Sequence, residues 1–131
     1  MAAHVFISYK RTMACKRFVN KLRGYLSDAG FDTWIDTRRL HGGDDWRDEI
    51  DQAIRDSLAL IVVLMPEATT SQYVTYEWAF ALGVGVPVIP ILYRPIDEFH
   101  PRLEALHYRD FSKKGTYPWK DVIEDLRALE Q

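Results

Sequence analysis

"LALIVVLM", residues 58 to 65, sets eight apolar side chains in a row between Ser57 and Pro66. A strand with one wet face alternates apolar and polar residues, so an unbroken run of this length marks a strand covered on both faces, the central one of its sheet. Working outward, strands and helices alternate. Upstream, "HVFIS" (4 to 8) reads as a strand. Residues 12 to 29 read as a helix in which Cys15, Val19, Leu22 and Leu26 recur at helical spacing before Gly30 ends it. Phe31 to Ile35 is a short β-rich run. After the polar loop "DTRRLHGGDD", Trp46, Ile50, Ala53 and Ile54 mark one face of a second helix that Asp44 or Asp45 can cap. Downstream come a helix over 71 to 84, a strand over 87 to 92, a loop-rich segment through Pro101, a weak strand near 106 to 111 and a final helix from about Pro118 to Leu129. Covered strands alternating with helices require parallel pairing and right-handed crossovers. The expected fold class is therefore α/β, a doubly wound sheet with helices on both faces.

Ligands of such sheets bind beyond the carboxyl ends of the strands, where strand order reverses. Those ends are Ser8 to Arg11, Asp36 to Asp45, Met65 to Ser71 and Tyr93 to Asp97. The third leads into "SQYVTYEWAFALGVG" (71 to 85), where Glu77 is the only charge between Glu67 and Arg94. On a helical wheel Val74, Trp78, Ala81 and Leu82 form one face. Glu77 falls at its flank, one turn after Tyr73 and near Phe80 and Val84. A carboxylate in an apolar and aromatic surround gains proton affinity, and it also attracts a developing cation strongly in a dry cleft. The plainer reading, a carboxylate that reaches solvent or a distant arginine, stays open on the helix alone.

Composition narrows the rest. The chain has 131 residues, 47% hydrophobic and 27% charged, which fits a single domain over 1 to 131. A net charge of −2 and a pI near 6.1 leave no basic footprint for nucleic acid or anionic lipid, although Lys10-Arg11, Lys16-Arg17 and Arg38-Arg39 form small local clusters. The single cysteine, Cys15, suits packing in a reducing, cytoplasmic setting. No two of the four histidines have the spacing of a metal site, so no metal is expected. The longest uncharged apolar run, Trp78 to Tyr93, is too short to span a membrane, and nothing before the first strand reads as a signal peptide. There is no Walker loop, and "GVGVP" lies between helix and strand, the reverse of a dinucleotide fingerprint. A phosphoacceptor site would need an aspartate where the chain has Met65-Pro66 and an acidic pair where it has Tyr9-Lys10.

Several blocks taken together identify a family resemblance. "VFISYKR", "GFDTWID" followed by "RRLHGGDDW", and "I..AI..S...IVVLMPEATTSQY...E" resemble, in order and spacing, the Toll/interleukin-1 receptor (TIR) domain over nearly the whole chain, most like short bacterial TIR domains. The resemblance implies a flavodoxin-like sheet of about five parallel strands in the order 2-1-3-4-5. It also implies cleavage of NAD, as a substrate rather than a cofactor, at the nicotinamide–ribose bond. In TIR enzymes of this kind the catalytic glutamate lies in a pattern similar to S-x-W-x-x-x-E, which reads here as Ser71, Tyr73 and Glu77, with tyrosine where tryptophan is customary. By the same resemblance Ser8 and Tyr9 shape the nucleotide site, and Lys10 or Arg11 approaches the pyrophosphate. Asp36 orients this loop or the next, or simply caps a turn, and Trp46 is core. Arg38, Arg39, Leu40, His41, Gly42 and Gly43 belong to the family's BB loop, through which one copy completes the site of its neighbour in filaments or clusters.

One carboxylate suffices for such a reaction. Nicotinamide departs as a neutral molecule from a cationic pyridinium and needs no proton, so the barrier lies in an oxocarbenium-like ribosyl cation. The products would be nicotinamide plus ADP-ribose or a cyclic ADP-ribose isomer, in a bacterial anti-phage setting, with a fused or separate sensor domain. The alternative is a non-catalytic adaptor acting through TIR–TIR contact; base transfer between nucleosides is a third reading.

Overall fold

The computed structural model describes residues 3–36 and 47–130. Five strands, β1 (His4–Ser8), β2 (Thr33–Trp34), β3 (Ser57–Leu64), β4 (Val88–Leu92) and β5 (Arg109–Asp110), form one sheet in the order β2-β1-β3-β4-β5, and every neighbouring pair is parallel. This is the flavodoxin-like order that the family resemblance implies. The run that decided the fold is indeed central. In β3 every residue from Ala59 to Leu64 is buried, paired on one side with β1 and on the other with β4. Pro90 sits within β4, where a missing N–H would normally break a ladder. The short β5 pairs only with Ile91 and Leu92, so Pro90 precedes the doubly paired part of the strand.

The helices are α1 (Met13–Asp28), α2 (Arg47–Arg55), α3 (Pro66–Thr69), α4 (Gln72–Gly83), α5 (Pro101–Glu104) and α6 (Trp119–Leu129). In α1 the residues at helical spacing, together with Phe18, are buried. Thr12 caps its start by accepting the Cys15 N–H, and Gly30 takes the left-handed turn after its end at φ 89°. α1 and α6 are joined by ring stacking of Trp119 on Tyr25 and Phe18. α4 packs against α2 and against β1, β3 and β4, and the Tyr76 hydroxyl donates to Asp51 of α2 at 2.6 Å. At the sheet edge Arg109 of β5 makes a two-pronged bond to Asp125 of α6 at 2.8 and 2.7 Å.

Two short helices escape the sequence reading. α3 follows the central strand at once, with Pro66 in its first turn, and α5 opens at Pro101, its start capped by the His100 ring. Four residues give a helical period too little length to show. Residues 37–46 lie outside the described residues, and with them the BB-loop residues 38 to 43, the caps expected at Asp44 or Asp45 and the core role expected of Trp46. Among the described residues, no helix is long and apolar enough to cross a membrane.

Candidate active site

β1 has β2 on one side and β3 on the other, so the crossovers from its two neighbours leave in opposite directions and open a crevice at the carboxyl edge. A cavity of about 440 Å³ lies there. Tyr9, Lys10 and Arg11, from the loop after β1, form one wall. Asp36, just beyond β2, and Ser71, Tyr73 and Glu77, from the start of α4, form the rest, with Ile7 and Val74 as apolar lining. Ser8 does not line the cavity; it touches it through Glu77.

Local folding explains each placement. Ser71 caps α4 by accepting the Val74 N–H at 3.2 Å, which fixes where the helix begins. Tyr73 and Glu77, four residues apart, then share a face. Val74 and Trp78 turn into the core, and Trp78 meets the His100 ring edge-on. Glu77 is 3% exposed, and its Oε1 accepts a 2.6 Å hydrogen bond from the hydroxyl of Ser8, itself 1% exposed at the end of β1. Asp36 is 7% exposed. It accepts a hydrogen bond from the Tyr73 hydroxyl and faces the Arg11 guanidinium at 4.0 Å. The tyrosine that replaces the customary tryptophan therefore uses the hydroxyl it brings, tying α4 to the end of β2.

Among the described residues two carboxylates share the crevice, and their electrostatics follow. Burial pushes Glu77 up to about 8; the Ser8 hydrogen bond pulls the other way, the Asp36 charge adds to the rise and Arg11 offsets part of it. Tyr9 is also raised, chiefly by burial. Arg11 is 43% exposed and Lys10 exposed, which leaves two cations at the mouth of the cavity. Elsewhere Cys15 is fully buried and its thiol pushed up to about 11, mainly by burial, as suits a packing residue. Among the described residues no cluster of His, Cys, Asp and Glu could hold a metal ion.

Sequence reasoning singled out seven of the nine lining residues among those described. It missed Ile7, which looks like any strand residue, and it assigned Val74 to the core alone. It did not foresee the partners: Ser8 and Glu77 are 69 positions apart, Asp36 and Tyr73 37 apart.

A family model described as the TIR domain matches residues 5–127. The chain belongs to the TIR domain family. Among solved structures it is similar to the TIR domain of the Toll-related receptor TRR-2 from Hydra magnipapillata, at 28% identity and a TM-score of 0.79 over 96% of this chain and 99% of that one. At the level of fold alone this TIR domain resembles the Clostridium botulinum CMP N-glycosidase BcmB, at 18% identity and a TM-score of 0.67 over 95% and 98% of the two chains. It is equally similar in fold to the RPS4 and RRS1 TIR domain heterodimer, at 17% identity and a TM-score of 0.67 over 96% of each chain. Comparison with curated proteins yields no match.

Proposed function

We propose that this TIR domain cleaves the nicotinamide–ribose bond of NAD. The observation that carries the reading is Glu77, a buried carboxylate lining a cavity whose mouth holds Lys10 and Arg11. The bond to nicotinamide breaks with its electron pair going to the pyridine nitrogen, which neutralises that ring, and the positive charge passes to the ribosyl carbon. Glu77, ionised, stabilises that cation in a crevice of low dielectric. Water then adds and releases a proton, giving ADP-ribose, or another atom of the same nucleotide adds and gives a cyclic isomer. Lys10 and Arg11 meet the pyrophosphate as paired cations, while Ser71, Tyr73 and Asp36 shape the pocket around the ribose. BcmB, named as a CMP N-glycosidase, is support of a general kind, since it places N-glycosidic bond cleavage on this fold.

Self-association belongs to the same proposal. The RPS4 and RRS1 TIR domains pair as a heterodimer, and by the family resemblance the loop at 38 to 43 is where a second copy of this chain would join the site. A cytoplasmic anti-phage setting with a sensor domain fits a signal-producing hydrolase of this kind. The test is to incubate the protein with NAD and with free nucleosides and separate the products by chromatography. Nicotinamide release that Glu77→Ala lowers by on the order of a hundredfold or more supports the reading. If concentrated protein releases none, or Glu77→Ala releases as much, the adaptor reading stands instead.

A further inference from the structure

We infer that Ser8 is a positioning residue for this reaction: its hydroxyl fixes one oxygen of Glu77 and leaves the other to meet the ribose. The inference rests on the NAD-cleaving reading of the site. Ser8 is held rigidly, as the last residue of β1 and still in register with Val62 of the central strand. Its hydroxyl donates to Glu77 Oε1 at 2.6 Å, a close contact for an O–H···O bond. Among the described residues the Glu77 carboxyl group makes no other hydrogen bond. Yet no fully enclosed side-chain oxygen or nitrogen there lacks a partner. Its second oxygen, Oε2, is therefore not sealed in the protein, and Glu77 itself lines the cavity.

This division of labour has chemical consequences. A carboxylate held at one oxygen turns less freely about its last bond, so Oε2 is oriented before substrate arrives. A donor on Oε1 also favours the ionised form, the one that stabilises a cation. Among the described residues, the other titratable and charged groups on the cavity are Tyr9, Lys10 and Arg11 from the β1–α1 loop, Asp36 beyond β2, and Tyr73 on α4. Of these, Asp36 raises the proton affinity of Glu77 and Arg11 lowers it, and Ser8 outweighs both. All five remain in place when only the Ser8 hydroxyl is removed, so a single substitution isolates its contribution.

Ser8→Ala and Ser8→Thr test this through two readouts: the carbon-13 NMR titration of the Glu77 carboxyl, and the pH dependence of kcat/KM for nicotinamide release. Ser8→Ala is expected to move both the titration and the rise in kcat/KM upward by about one pH unit. That cuts the rate at pH 7 roughly tenfold and lets it recover on the alkaline side. Ser8→Thr, which keeps the donor, is expected to hold both near the wild-type position. A merely structural serine would lower the rate by the same factor at every pH without moving the rise, and that result overturns the inference. A wild-type protein that releases no nicotinamide overturns the functional reading and Ser8's part in it together. A Glu77 titration unmoved in Ser8→Ala, with wild-type activity present, overturns the Ser8 assignment alone.

Discussion

Glu77 works against the stability of the fold, and the conflict is measurable. Its ordinary value is 4.5 and burial lifts it to about 8 in the folded chain. Between those two values the folded state keeps a proton that the unfolded state has released. The contribution of Glu77 to stability is therefore full below about pH 4.5 and is lost as the pH climbs through 8. Glu77→Gln carries no such proton. Its stability relative to wild type should grow across that interval by on the order of a few kcal/mol, read from denaturant unfolding at a series of pH values. The same shift governs activity: because the ionised form is the working one, kcat/KM should rise with pH to an inflection near 8. A profile already flat from pH 5 upward would mean that Glu77 is ionised in the free protein. At this scale the sequence was legible only in part. The isolation of Glu77 among uncharged neighbours showed that a charge needed an explanation. The Ser8 and Asp36–Tyr73 contacts that supply one join separate elements, and no local pattern records such contacts.

The elements were more legible, because burial imposes its period on the sequence. The apolar run of β3, the spaced core residues of α1 and the span of α4 could each be read directly, and each appears within a residue or two of its expected bounds. What escaped was short: α3 and α5 span four residues each, below the length at which a period shows. Two-residue β2 and β5 depend on pairing with a neighbour more than on their own residues, so their bounds came out wider in the sequence than in the sheet. α4 is the element on which function rests, since its start sets the direction of Tyr73 and Glu77. Ser71→Ala removes the oxygen that accepts the Val74 N–H and should cost about 1 kcal/mol, seen as a lowered unfolding midpoint. A midpoint unchanged from wild type would show that the first turn of α4 is held by its packing instead.

At the scale of the molecule, strand order does what no single residue can. The reversal between β2 and β3 around β1 places the ends of three elements about one crevice, and membership of the TIR family follows from blocks spread over residues 5–127 rather than from any one motif. If the loop at 38 to 43 of one copy completes the site of another, specific activity per protomer should rise with protein concentration, measured across the range over which light scattering reports assembly. Activity independent of concentration in a stable monomer would contradict that part of the proposal. The central claim, that Glu77 serves a ribosyl cation formed from NAD, is tested most directly by chromatographic assay of nicotinamide release by wild type and Glu77→Gln at matched concentration near pH 8. The account predicts steady release by wild type and a loss on the order of a hundredfold or more in a variant at least as stable. Equal release by the two proteins would contradict it.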